Sequence, residues 1–369
     1  MKVVLAFTGS LDTCVAIPWL RERFGAEVIT VTLDLGQGRV LEDVRDRALA
    51  AGAVRAHVLD VREEFASTFI VRALKADAVY EDRYPMATSL GRALVAQKLV
   101  DIAGIERANV VAHCGTADDN DQVRIESTVR GLNPQLQVLA PAETWGMSQA
   151  EAVEYARAHG IDVQPAHTPY GVDANLWGRA VQYGVLEDPW TEAPEEVFTL
   201  TKTAAECPDE PAYVEISFES GVPMAINGVE MPILDMIGSL ALIAGAHGVG
   251  RIDMVENRVA GVKAREIYEA PAAVVLHAAH KELQKMVVTT GVDRFSRAVS
   301  LQYADTIYNG LWFTPLREAL DAFIDKVQER VTGVIRMKLF KGDCRVVGRK
   351  SPFALYDQMP ASAGTPAVS

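Results

Sequence analysis

The sequence predicts an α/β fold: a doubly wound parallel sheet in the first half of the chain, followed by a second, α+β domain. Three observations predict it. Short apolar runs alternate with helical patterns from Val3 to about His159, and several runs end in small-residue or acidic loops. A loop-rich connector over 163–173, carrying Pro165 and Pro169, then interrupts the pattern. Beyond it the chain changes to alternating, hairpin-like strands and longer helices.

The elements follow in order. Residues 3–7 read as a strand, and TGSLDTC (8–14) runs through Thr8, Gly9 and Ser10 into a helical pattern that lasts to Phe24. A strand, a small-residue turn and a helix N-terminus make an anion site, because the free amides of the first turn and the helix dipole both face the turn. The hydroxyls of Thr8 and Thr13 add donors. A strand over 27–34, a helix over 41–51 and a strand over 54–61 come next, with further strands at 108–113 and 137–140. The longest helix between them covers 88–103. Ligands of such a sheet gather at the strand C-termini, where LDLGQG (33–38) and AHCGTADDND (112–121) also fall. Ser148 and Glu151 read as a capping box opening a helix to about His159. In the second half, YVEISFES (213–220) and VPMAING (222–228) read as strands, 233–246 and 271–286 as helices, and 331–350 as a hairpin turning at 341–343. The tail from Pro360 has the composition of a disordered segment.

With 369 residues, 49% of them hydrophobic and 23% charged, the chain has enough apolar material for about two domains. A net charge of −13 without a Lys/Arg run excludes a long phosphate-tracking surface, so no nucleic-acid partner is expected. The first residues lack the apolar core of a leader, and the longest apolar stretch, 237–246, is too short to span a bilayer. No membrane partner and a cytoplasmic location are therefore expected. Cys14, Cys114, Cys207 and Cys344 form no CxxC pair, which argues against a zinc cluster or disulfide framework. Cys14 and Cys114 stand apart because both fall just past predicted strands.

Seven strings resemble one family, the argininosuccinate synthases: YPMATSLGR (84–92), NDQVR (120–124), NLWGR (175–179), LEDPW (186–190), HGVGRIDMVENR (247–258), GLWFTPLREALDAFI (310–324) and VVGRKSP (346–352). These are PP-loop ligases that join citrulline and aspartate using ATP. The likeness runs to about Leu355. It implies a PP-loop/HUP-like nucleotide-binding domain over 1–165, a synthetase domain for substrate binding and oligomerisation over 166–355, a flexible tail over 356–369, and a homotetramer. It also implies ATP and Mg²⁺, release of AMP and pyrophosphate, and no protein nucleophile.

By the same resemblance, Ala6, Phe7, Thr8, Gly9, Ser10, Leu11, Asp12, Thr13, Cys14, Leu33 and Cys114 bind ATP. Thr116, Asn120 and Asp121 hold aspartate. Tyr84, Ser89, Asn120, Arg124, Gly171, Ala180, Gln182, Glu256 and Tyr268 hold citrulline, and Asp12, Asp121 and Arg124 carry the chemistry. Several positions depart from the family pattern. Ser10 replaces a glycine, at about 1–2 kcal/mol if the backbone there is left-handed, and Cys14 replaces a better donor. Leu33 replaces an alanine. Ala117, Asp118 and Asp119 replace Gly-Lys-Gly beside anions, and either acid is a candidate for recruiting a second Mg²⁺. Gly171, Ala180 and Gln182 replace Ser, Ser and Glu, of which the acid pairs the α-ammonium of citrulline. Losing a charge-assisted hydrogen bond costs about 1.5–3 kcal/mol, so weakened citrulline binding is expected. The alternatives are a paralogue with another acceptor or without catalysis, and a PP-loop tRNA-modifying enzyme using Cys14 and Cys114. The acidic charge and missing CxxC argue against the last.

Overall fold

The structure, a computed structural model, describes residues 1–38, 41–115, 120–162 and 169–355. Thr116, Asp118, Asp119, most of the connector and the tail from 356 lie outside them. Strand β1 (Lys2–Ala6) is apolar without alternation because both its faces are covered. Val3 and Leu5 pack with helices α1 (Leu11–Phe24), α2 (Leu41–Ala50) and α8 (Gln149–Ala158), while Val4 packs on the opposite side. With β2 (Glu27–Asp34), β3 (Arg55–Asp60), β4 (Val110–Ala112) and β5 (Gln137–Leu139) it forms an all-parallel sheet in the order β3-β2-β1-β4-β5. Strand order reverses between β1 and β4, so the loops after these two strands diverge and leave a crevice. Ser148 opens α8 as the capping box requires: its Oγ accepts from Glu151 N, and Glu151 Oε2 accepts from Ser148 N.

The other face of the sheet carries helices α3 (Arg62–Glu64) and α4 (Val71–Lys75), joined by a π-helical turn at Phe65–Ile70, and the long α5 (Ala87–Glu106). Helices α6 (Asn120–Leu132) and α7 (Pro141–Thr144) complete the first half. In the second half, β8 (Ala212–Glu219), β9 (Val222–Ile226), β10 (Val229–Glu230), β13 (Gly333–Phe340) and β14 (Asp343–Lys350) form one antiparallel sheet. Strands β6 (Gly171–Asn175), β7 (Gly178–Gln182), β11 (Arg251–Asn257) and β12 (Lys263–Glu269) form another, in the order β11-β12-β7-β6. Helices α9 (Ile233–Ala246), α10 (Pro271–Val287), α11 (Thr290–Tyr308) and α12 (Pro315–Gln328) pack around them.

The expected connector over 163–173 is too long. Residues 171–173 are already strand β6, paired with β7 through a turn at 176–177. The segment GVDAN has too little apolar alternation to be read as a strand; tertiary bonds hold it. Asn175 accepts from Trp177 N and donates to Ala87 O, and Trp177 Nε1 donates to Pro85 O at 3.0 Å. These bonds pin the second-half sheet to the start of α5. Among the described residues no helix is long and apolar enough to cross a membrane.

Candidate functional site

The loops after β1 and β2, the first turns of α5 and α6, and one face of the β6-β7-β12-β11 sheet enclose a cleft of about 880 Å³. At the end nearest β1, Ala6, Phe7, Thr8, Ser10, Asp12 and Leu33 line the wall. The turn leaves the first amides of α1 at the cleft. Ser10 is the N-cap of α1 with φ −70° and ψ 165°, extended backbone open to any residue, so the strain expected of a side chain there is absent. The left-handed position is the one before it, Gly9 at φ +75°, where glycine stands. Thr8 Oγ1 donates to Ser10 Oγ at 3.0 Å, and Ser10 Oγ lies 3.2 Å from Thr13 Oγ1. Arg47 Nη1 donates to Gly9 O at 2.8 Å, which fixes the turn and brings a guanidinium beside it. The loop after β2 is folded by Gln37, whose Oε1 accepts from Leu35 N while its Nε2 donates to Leu33 O. Gly36 is required there, since a Cβ would stand 2.8 Å from Leu176 Cβ.

Gly9, Leu11, Thr13, Cys14 and Cys114 do not line the cleft. Cys14 belongs to the core beneath α1, and Leu11 and Cys114 pack against it. Burial pushes the Cys14 thiol up to about 11, although Arg47 pulls the other way. Burial likewise pushes the Cys114 thiol up, and the neighbouring Asp12 and Cys14 add to the effect. Both are neutral packing residues at ordinary pH, and neither is an activated sulfur. The donor that Cys14 lacks is therefore one the cleft does not use. Burial raises the Asp12 carboxyl above the usual carboxylate range.

At the centre of the cleft α5 and α6 meet. Arg92 Nε donates to Asp121 Oδ2 at 2.5 Å and its Nη2 lies 3.1 Å from Asp173 Oδ1. Arg124 Nη1 donates to Asp121 Oδ1 at 3.2 Å and its Nε to Tyr308 O at 2.8 Å. Burial opposes charge on Asp121, but the two guanidiniums outweigh it and hold the carboxyl below its ordinary value. Asn120 donates to the Tyr308 hydroxyl at 3.0 Å and accepts from Val259 N at 2.8 Å. Beside it, Glu256 receives the hydroxyls of Tyr268 at 2.7 Å and Tyr308 at 2.5 Å. Burial raises the Glu256 carboxyl, and these two donors offset part of that rise. Tyr84 stacks on Tyr268 with ring centroids 3.9 Å apart, and its hydroxyl accepts from Thr88 N.

The sheet wall of the cleft carries Gly171, Ala180 and Gln182. Ser89 is not on the cleft wall; it is fully buried, and its Oγ finds no hydrogen-bond partner among the described residues. Glu256 and Arg258 do not pair with each other as a surface couple. Arg258 Nη2 donates instead to Gln182 Oε1 at 2.6 Å and Glu266 Oε1 at 2.8 Å. The wall is anchored by Glu269, fully buried, which accepts from the backbone of Thr199, Leu200 and Thr201 and from Thr201 Oγ1.

Sequence reasoning missed Arg92, Asp173, Arg258, Glu266 and Tyr308. Two of them left a local signal. Thr88 and Arg92 are one helical turn apart, hence on one face, and Glu266 and Tyr268 share parity on a strand. Tyr308 reaches the site only through tertiary folding.

A parallel sheet whose switch-point crevice holds a helix N-terminus, roofed by an antiparallel substrate wall, defines a nucleotide-binding α/β enzyme with an appended domain. The comparisons agree with that class. Residues 2–162 match the family model of the arginosuccinate synthase N-terminal HUP domain, and residues 170–366 that of the arginosuccinate synthase C-terminal domain. The chain is 50% identical over 362 residues to argininosuccinate synthase of Geobacillus thermodenitrificans, covering 98% of this chain and 89% of that protein. It is 51% identical to those of Symbiobacterium thermophilum, over 96% of this chain and 89% of that one, and Gloeobacter violaceus, over 96% and 90%. The chain belongs to the argininosuccinate synthase family.

Proposed function

We infer that this protein is an ATP-dependent carbon–nitrogen ligase that condenses citrulline with aspartate and releases AMP and pyrophosphate. One observation carries the reading: a phosphate cradle and two separate charged clusters, Arg92–Asp121–Arg124 and Arg258–Glu266, face a single cleft. A ligase joining two amino acids needs one anion site for the triphosphate and two for zwitterions. The ureido oxygen of citrulline attacks the α-phosphorus and expels pyrophosphate; the aspartate amine then displaces AMP from the activated carbon. No protein nucleophile enters, so positioning and electrostatic stabilisation supply the rate.

In this reading the first turn of α1 with Thr8 and Ser10 receives phosphate oxygens, Thr13 holds the Ser10 hydroxyl from behind, and Ala6, Phe7 and Leu33 flank the nucleoside. Asn120 and Asp121, with Thr116 outside the described residues, hold aspartate. Tyr84, Arg124, Glu256 and Tyr268 shape the citrulline pocket. Mg²⁺ neutralises phosphate charge when bound. Asp12, which lines the cleft beside the cradle, would be the carboxylate that helps hold the ion on the phosphates. The division at about 165 into nucleotide-binding and synthetase domains, the homotetramer and the cytoplasmic location belong to the same reading.

Neither a paralogue of changed chemistry nor a sulfur-transferring tRNA enzyme is favoured. The named relatives are argininosuccinate synthases, and both thiols are held protonated. Incubation with ATP, Mg²⁺, citrulline and aspartate should give argininosuccinate and pyrophosphate in equal amounts. Pyrophosphate without argininosuccinate, or neither product, would overturn the reading.

A further inference from the structure

The β6-β7 hairpin brings a carboxylate to the cleft wall with one oxygen to spare. Asp173 pairs with Ala180, and Ala180 with Tyr268, in the sheet register, so the three side chains form one row on the same face of β6, β7 and β12. All three line the cleft. Asp173 and Tyr268 are two strand spacings apart, about 10 Å, and between them the row carries only the methyl group of Ala180. A carboxylate bounds that space on one side, and the stacked rings of Tyr268 and Tyr84 bound it on the other. Such a gap suits a small cationic head on an uncharged chain.

Among the described residues the cleft is lined by the carboxylates of Asp12, Asp121, Asp173, Glu256 and Glu266. Asp12 stands at the far end, beside the turn after β1. Asp121 has one oxygen on each of two guanidiniums, Glu256 has one oxygen on each of two phenols, and Glu266 is paired with Arg258. Asp173 differs from these. Its Oδ1 lies 3.1 Å from Arg92 Nη2, whereas its Oδ2 is buried and has no hydrogen-bond partner among the described residues. A buried acceptor without a donor costs free energy, which a donor carried by a ligand recovers. The side chain as a whole is 33% exposed, and the last torsion of an aspartate is broad and two-fold, so a turn about Cβ–Cγ presents the spare oxygen to the cleft.

We propose that Asp173 is a specificity-determining residue that receives the α-ammonium of citrulline over Ala180. The proposal rests on the ligase reading above and deepens it. Citrulline is the substrate concerned because the row ends on Tyr268, which with Tyr84 shapes the citrulline pocket, while Asp121 of the aspartate site lies beyond Arg92. The charge that Gly171, Ala180 and Gln182 do not supply thus comes from β6. Arg92, anchored on Asp121 through its Nε, holds the Asp173 carboxylate in the row and acts through it as a positioning residue.

The test uses the full-length enzyme and two acceptors, citrulline and 5-ureidopentanoate, which keeps the ureido chain and the carboxylate and lacks the α-ammonium. Wild type should prefer citrulline strongly, and equal use of the two would overturn the proposal before any variant is made. Asp173→Asn should raise the citrulline KM about tenfold or more, leave the KM values of aspartate and 5-ureidopentanoate unchanged, and so narrow the preference. Asp173→Glu keeps the carboxylate and should keep most of the preference. If Asp173→Asn does not fold, Asp173→Ser decides on the same readouts. An unchanged preference in the folded Asn or Ser variant would overturn the proposal. So would a rise confined to the aspartate KM, an equal loss with both acceptors, or a folded Asp173→Glu variant with no more preference than Asp173→Asn. Wild type that makes no argininosuccinate would overturn the ligase reading itself, an outcome separate from these.

Discussion

Asp121 and Glu256 are both buried carboxylates on the cleft wall, and their neighbours drive them in opposite directions. Arg92 and Arg124 hold Asp121 ionised, whereas Glu256, met by two phenols, is raised by burial. Asp121→Asn should therefore do more than remove a substrate contact. The buried Arg124 loses its carboxylate partner and the half-buried Arg92 keeps Asp173 but loses Asp121, at a cost of about 3–5 kcal/mol in stability, together with most of the turnover. Urea unfolding and steady-state rates check this, and a variant sound in both would refute the charge assignment. The turn was legible at this scale because its chemistry is local: Thr8, Gly9 and Ser10 are adjacent in sequence. The cost at Ser10 hung on φ, which sequence alone does not give; the left-handed position is Gly9, so the condition is not met. Glu266 escaped notice because a single acid in a strand pattern reads equally well as a solvated edge.

Among elements, α1, β2 and α9 have the ends their periodicity predicts, since caps and apolar stripes are encoded locally. β6 and β7 were not legible, because Asn175, Trp177 and the start of α5 hold them by long-range bonds. Contacts between distant elements also set two measurable quantities. Gly310, just past α11, has φ +71°, and a Cβ there would fall 2.6 Å from Arg124 Cα. Gly310→Ala should cost roughly 2–4 kcal/mol and displace Arg124. Melting temperature and kcat/KM should fall together, and retention of both would contradict the packing. His280 on α10 is fully buried, donates to Gln328 Oε1 on α12, and is surrounded by Asp77, His277 and Lys75. Burial lowers its pKa from 6.5 to about 4. A depressed pKa contributes stability above the unfolded value that is lost as pH falls through the folded one. The loss should reach roughly 3 kcal/mol between about pH 6.5 and pH 4. His280→Gln should flatten that part of the stability–pH curve, and identical slopes would contradict the assignment.

At the scale of the molecule, α5 is the shared member: it lies against the parallel sheet on one side and the β6-β7 wall on the other, and its first turns enter the cleft. Composition and alternation foretold the two halves, but not that the cleft would need residues from both, such as Asp121 from α6 and Glu256 from β11. The apolar stripe over 311–324 divides in the same way. Trp312 and Ile324 enter the core, while Leu311 and Leu316, with Phe295 and Leu301 on α11, stay exposed. Exposed apolar side chains of this size suit a subunit contact, and if the proposed homotetramer forms, light scattering should give four times the monomer mass; a monomer at micromolar concentration would contradict it.

The central claim is that this cleft sets the ureido oxygen of citrulline against the α-phosphorus of ATP. It is tested most directly with citrulline carrying oxygen-18 in the ureido group, in the presence of ATP, Mg²⁺ and aspartate. The account predicts one labelled oxygen in the AMP formed and none in pyrophosphate. Unlabelled AMP, or ADP with inorganic phosphate in its place, would contradict it.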